Sequence, residues 1–138
     1  MVEQLEGGLR SILLGDGDIP ESIGDRIRPD ALSEEDTFPA IVIDVRDINE
    51  EGAIDEDGGT RFCTATVYVV AISQSKKESK SISSWIRRVL NEFEGIAGGI
   101  DIQSCESARR THHFVPRNEV IDVDFYETQV VFDIQYEE

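Results

Sequence analysis

Apolar and polar residues alternate along this chain in two rhythms. The longer one is helical. Ile82, Trp85, Ile86, Val89, Leu90 and Phe93 fall at i, i+3, i+4, i+7, i+8 and i+11, which places six apolar side chains on one stripe of a helix. Ser75 stands before the stripe as an N-cap, and Glu78 follows three residues on, the spacing of a capping box. Gly95 offers a left-handed stop. The pattern predicts a helix over 76–94, about 28 Å long at 1.5 Å per residue. A stripe of that length needs a surface to cover.

The shorter rhythm has a period of two and predicts that surface. Over 40–47, Ile41, Ile43 and Val45 point one way while Val42, Asp44 and Arg46 point the other. Over 61–73, Phe62, Thr64, Thr66, Tyr68, Val70 and Ile72 alternate with Cys63, Ala65, Val67, Val69 and Ala71. Both sets are largely apolar, so this strand is central and covered on part of each side. The stretch 100–110 alternates weakly, as a strand with one wet face does. The best alternation closes the chain, with Thr128, Val130, Phe132, Ile134 and Tyr136 opposite Gln129, Val131, Asp133 and Gln135.

At the start, Leu5, Leu9, Ile12 and Leu13 share a face of a helix over 1–15 that Gly15 can end. Gly7 and Gly8 sit inside it, each costing about 1 kcal/mol relative to Ala. Either packing within the monomer holds this helix, or the glycines admit another backbone at a subunit contact. Residues 16–39 are irregular and contain Pro20, Pro29 and Pro39. Ile19, Ile23 and Ile27 suggest a short helical turn after Pro20 in a segment that wraps the surface. The order is therefore α–β–β–α–β–β. The expected fold is α+β, a mostly antiparallel sheet of about four strands with helices packed on one face, in a single domain over 1–138. Residues 47–60 are read as a long acidic hairpin and 111–124 as a loop.

Composition narrows the function. No run approaches the roughly 18–20 apolar residues of a membrane span, and the N-terminus lacks the basic-then-apolar pattern of a signal peptide. Export is not indicated, so Cys63 and Cys105 are expected as reduced, buried thiols. The net charge is −16, which opposes a protein that grips nucleic acid by neutralising phosphates. It does not exclude one past which DNA must slide without sticking, and solubility alone accounts for an acidic surface as well.

The charges are also clustered. Asp47, Glu50, Glu51, Asp55, Glu56 and Asp57 fall within 47–58, with no Lys or Arg among them. Lys76, Lys77 and Lys80 lie at the start of the long predicted helix, and Glu92 and Glu94 at its end. Both placements oppose the helix dipole, at a few tenths of a kcal/mol each. A basic helix start on one subunit meeting the acidic hairpin of the next would account for them. Chance surface composition accounts for them as well.

Signatures of catalysis are absent: no G-x-S-x-G, no P-loop, no H-E-x-x-H and no paired C-x-x-C. His112 and His113 are adjacent, so in an extended segment they point to opposite sides and suit one metal poorly. Cys105 with either histidine imitates a nucleophile pair, but nothing supplies a third orienting group. Asp55, Glu56 and Asp57 run towards a strand and lack the terminal Glu of a calcium loop. No cofactor is expected. Asp55, Glu56, Asp57, Lys76, Lys77, Arg109 and Arg110 remain as candidate interface or lumen residues.

One larger pattern is recognisable. The helix with Leu9, Ile12 and Leu13 is followed by Gly24-Asp25-Arg26-Ile27, Pro29 and Phe38-Pro39-Ala40-Ile41-Val42. A long β segment and the amphipathic helix come next, then a closing strand that Asp124-Phe125-Tyr126-Glu127 introduces. This resembles the tail completion, or tail terminator, proteins of long-tailed bacteriophages and related prophages, over nearly the whole chain by element order. The resemblance implies a small α/β structural protein without catalytic residues, assembling as a ring that is typically a hexamer. Such a ring caps the finished tube of the major tail tube protein, stops its polymerisation and meets the head–tail connector or stopper. It sits at the tail–neck junction of the virion, is assembled in the host cytoplasm, and lets DNA pass through its bore. Another neck or head-completion adaptor is the nearest rival, and a small cytoplasmic ligand-binding domain or enzyme a further one.

Overall fold

The apolar stripe folds as a helix, held at its start by three hydroxyl and carboxylate contacts. In the computed structural model, which describes residues 2–18, 21, 23–29, 38–51, 62–117 and 123–137, helix α2 spans Lys76–Leu90. The Ser75 side chain accepts the Glu78 N–H at 3.3 Å. Glu78 does not complete the reciprocal box. Its carboxylate accepts from the Ser73 hydroxyl at 2.6 Å, and that hydroxyl accepts the Ser75 N–H at 3.1 Å. Two of the orphan donors at the helix start, the Ser75 and Glu78 N–H groups, are thus satisfied by a short relay.

The end of α2 differs from expectation. Asn91 is already extended and Glu92 takes the positive φ of 65°, so the helix stops four residues short and Gly95 is not its cap. Glu92 N–H instead donates to Cys105 O at 2.7 Å. Glu92 and Glu94 therefore lie off the helix, and its last turn carries Arg87 and Arg88, which suit the dipole. Phe93 still packs against the core from outside the helix.

Helix α1 is Val2–Leu14, and the strands are β1 (Ile27–Pro29), β2 (Ala40–Glu51), β3 (Phe62–Ser73), β4 (Gly95–Ala97), β5 (Ile100–Val115) and β6 (Phe125–Glu137). They form one sheet in the order β1-β2-β3-β6-β5-β4. β1 runs parallel to β2, and every other neighbouring pair is antiparallel.

The expected four-stranded, mostly antiparallel sheet with helices packed on one face is corrected. The sheet has six strands, is mixed, and curls into a half-barrel accompanied by two helices. The two additional strands, β1 and β4, are three residues long, too short for a period of two to register. Curling shows in the contacts of α1, which touches β1 and β2 at one edge of the sheet and β4 and β5 at the other. One helix reaches both edges only if the sheet bends around it. β5 also runs on through Thr111–Val115, a stretch expected as loop.

The inner face of the sheet meets the helices. Leu5, Leu9 and Leu13 of α1 and Ile82, Trp85, Ile86 and Leu90 of α2 pack with Cys63, Ala65, Val67, Val69 and Ala71 of β3 and Val130, Phe132, Ile134 and Tyr136 of β6. Ile23 and Ile27 join them, fully buried. Ile19 and Pro20 lie outside the described residues. Cys63 and Cys105 are both free and buried, small residues of the core, and burial pushes the Cys105 thiol up to about 12.

Gly8 serves the close approach of another backbone from the same chain. A Cβ there would meet Ala97 O at 2.8 Å, and one on Gly98 would meet Gly8 Cα at 2.9 Å. Helix α1 thus rests directly on the β4–β5 turn. A polar pin sits within the core. Ser79 Oγ, on α2, donates to Ala71 O at 3.0 Å and lies 2.8 Å from Thr128 Oγ1 of β6.

Candidate functional site

The same strands present a second, outer face, and its chemistry changes along their length. At one end Val42, Val70, Ile72 and Phe125 form a small apolar cluster with Phe38, Tyr68 and Val115 against it. Phe38 and Phe125 stack with ring centroids 5.5 Å apart. At the other end the face is polar. An open groove of about 750 Å3 is lined by Arg46, Asp47, Asn49, Thr64, Glu106 and Asp133 among others. Between the two ends stands Tyr68. The Arg46 guanidinium lies 3.9 Å from its ring centroid, and Arg109 Nη2 donates to its hydroxyl at 2.7 Å. Asp44 holds Arg46 from the other side at 2.8 Å and raises its pKa, an effect that burial opposes. An aromatic face engaged by a guanidinium is a cation–π contact. It joins β2, β3 and β5 across the surface.

β-Bulges decide which side chains reach which face. β5 slips register between Ile102 and Ser104 and again between Ser107 and Arg109. After the second slip Arg109 lies on the outer face against Tyr68, whereas Arg110 lies on the inner side, donating to Ser84 Oγ of α2 at 3.2 Å. His112 Nδ1 lies 3.0 Å from Thr128 Oγ1. His112, His113, Lys76, Phe114 and Tyr126 share a recess of about 120 Å3. Burial lowers the His112 pKa, and Lys80, Arg110, Lys76 and His113 push it further down. Glu127, beside it, is raised by burial, with His113 and Arg46 pulling the other way.

The candidates read from the sequence therefore separate into three groups. Lys76 and Arg110 come together with His112 and Lys80 in a basic corner. Arg109 flanks that corner on the outer face, and Lys77 is exposed at the start of α2. Asp55, Glu56 and Asp57 lie outside the described residues. Among the described residues no group of three His, Cys, Asp or Glu is placed to hold a metal ion. The Tyr68 contact was missed. Arg46 and Tyr68 are visible as strand residues, but their meeting depends on the register of β2 on β3, which no local pattern reveals.

The two edges of the sheet are each half covered. β1 lies along Ile41–Ile43 of β2. Among the described residues no strand lies beyond Asp44–Glu51 on that side. β4 lies along Ile100–Ile102 of β5. Glu92 N–H then reaches Cys105 O, and Asn91 Oδ1 accepts the Ser107 N–H at 3.0 Å. Past that point, among the described residues, no strand lies beside 108–115.

No protein-family model and no curated protein sequence matches the chain. Its fold does have a counterpart. A chain in the structure described as the virion of a native gene transfer agent (GTA) particle superposes with a TM-score of 0.70. The match covers 99% of this chain and 97% of that one at 12% identity. At that identity the likeness shows a shared fold, over nearly the full length of both chains.

Proposed function

We propose that this chain is a structural protein of a phage-type particle, built into the virion rather than acting as an enzyme. The observation that carries this reading is the fold shared, end to end, with a chain of a gene transfer agent virion. Within that class, the order of elements and the segments Gly24–Ile27 and Phe38–Val42 favour a tail terminator. It would form a ring, a hexamer in the family it resembles, that caps the tail tube, stops tube polymerisation and receives the head connector. The net charge of −16 suits a ring through which DNA passes, because a bore of like sign repels phosphates.

Electron microscopy of particles assembled without the protein tests this. The terminator reading expects tails of uncontrolled length and heads without tails, restored by adding the purified chain. Tails of normal length beside unsealed or unjoined heads would replace it with a head-completion role in the same neck. Particles of normal form and yield would sink both.

A further inference from the structure

We propose that copies of this chain join edge to edge into one continuous antiparallel sheet. The half of β5 that has no strand beside it among the described residues pairs with the corresponding open half of β2 on the next. The proposal rests on the ring reading above and names the contact that would build the ring.

Three observations carry it. The first is charge. The uncovered part of β2 bears Asp44, Asp47, Glu50 and Glu51, and its one cation, Arg46, is already held by Asp44. The uncovered part of β5 bears Arg109, Arg110, His112 and His113 with no carboxylate, and Lys76 and Lys80 add to its field at His112. Pairing β2 with β2, or β5 with β5, would set like charges opposite each other, which is unfavourable across strands. Only β5 against β2 is complementary. That contact uses two different patches, so it propagates head to tail and closes into a ring when the rotation allows.

The second is direction. β2, β3, β6 and β5 are successively antiparallel, so β5 runs opposite to β2. A neighbouring copy set in the same orientation therefore offers β2 to β5 as an antiparallel partner, the ladder that the long strands already use. Pairing of this kind satisfies the row of main-chain groups that an edge leaves open.

The third is position. Arg109 is level with Asp44 through Val131 and Tyr68. From that row the two uncovered stretches run in opposite directions, so they lie diagonally across the sheet. Pairing them shifts each copy along the strands relative to the last. Strands in the ring then tilt against its axis, as closure of a sheet requires. The short strand β1 on β2, and the Asn91–Glu92 segment on β5, stand at the ends of the open stretches and limit sliding. Phe114, half exposed on this part of β5, would gain cover.

Charge reversal tests the contact. One variant carries Arg109→Glu with Arg110→Glu; a second carries Asp47→Lys with Glu51→Lys. Solution mass is measured by light scattering across a concentration range, with circular dichroism as the check on folding. Wild type is expected to assemble, and each variant alone to fall to the 15.4 kDa subunit. An equal mixture is expected to regain the wild-type mass, because each reversed edge then meets an opposite one. A mixture that remains dissociated overturns the proposal, as does a wild type that is monomeric at every concentration. A wild-type assembly indifferent to both reversals overturns the edge contact while leaving the ring standing. A ring that needs these edges but fails to restore tail length leaves the contact standing and sinks the terminator role.

Discussion

The two faces of β3 show how one strand serves two purposes. On the inner face Cys63, Ala65, Val67, Val69 and Ala71 are all buried against helices and neighbouring strands. On the outer face Thr64 and Thr66 line an open groove, Tyr68 is held by arginines, and only Val70 and Ile72 are buried. Stability is concentrated on one side, and the other is free to carry polar chemistry. A sheet that is apolar on both faces throughout would need cover on both sides. This one leaves half of its outer surface wet.

Five substitutions probe that contrast. Phe132, fully buried on the inner face, should be the most costly to truncate. Phe132→Ala is expected to lose about 3–5 kcal/mol of unfolding free energy by urea titration. Phe125→Ala, in the smaller outer cluster, should lose less, about 1.5–3 kcal/mol, nearer the value of the buried area alone. Equal losses would show that the outer cluster is as much a core as the inner one.

The glycines of α1 sharpen the comparison locally. Gly8→Ala drives a Cβ into Ala97 O and should cost about 1–3 kcal/mol through backbone displacement. Gly7→Ala meets nothing within 4 Å and should stabilise by up to about 1 kcal/mol. If both changes stabilise, the contact between α1 and the β4–β5 turn is looser than its geometry.

The smallest effect is a pH slope from the inner side of the basic corner. The folded-state pKa of His112 lies below the ordinary 6.5, so the unfolded chain binds that proton more readily. Its contribution is full above pH 6.5 and is lost as pH falls through the window below. Glu127, on the outer face, has the opposite sense. Its pKa is raised from 4.5, so its contribution is present below 4.5 and lost as pH rises through the folded value. His112→Gln should therefore flatten the loss of stability on acidification below about pH 6.5. A slope that is unchanged in the variant would assign it to another group.

Much of this architecture is legible in the sequence, and the exceptions share a cause. The stripe through Ile82, Trp85, Ile86 and Leu90 and the alternation of β3 and β6 appear as read, because each face has one consistent environment over many residues. The reading of β5 stopped too early because its two bulges shift the phase of alternation. Beyond them both faces of an edge strand are wet, so Thr111–Val115 resembles a loop. Glu92 and Glu94 were misplaced because Phe93 continues the helical spacing while packing from outside the helix. The basic corner is only half legible. Clustered cations show in the sequence, but the pairing of β5 with β6 and the seat of α2 over them decide that Lys76, Lys80 and Arg110 converge on one histidine.

The bond between Ser79 and Thr128 bears on how that seat is chosen. A greasy stripe is periodic, so a helix on an apolar sheet has several almost equivalent berths about 5.4 Å apart along its own axis. Hydrophobic contact discriminates weakly between them. Two hydroxyls that meet away from water at 2.8 Å do so in a single berth, and in every other they would lose each other. A small polar cluster of Ser79, Thr128 and the groups they bond thus turns a graded attraction into an indexed fit, and everything anchored to the helix start inherits its address.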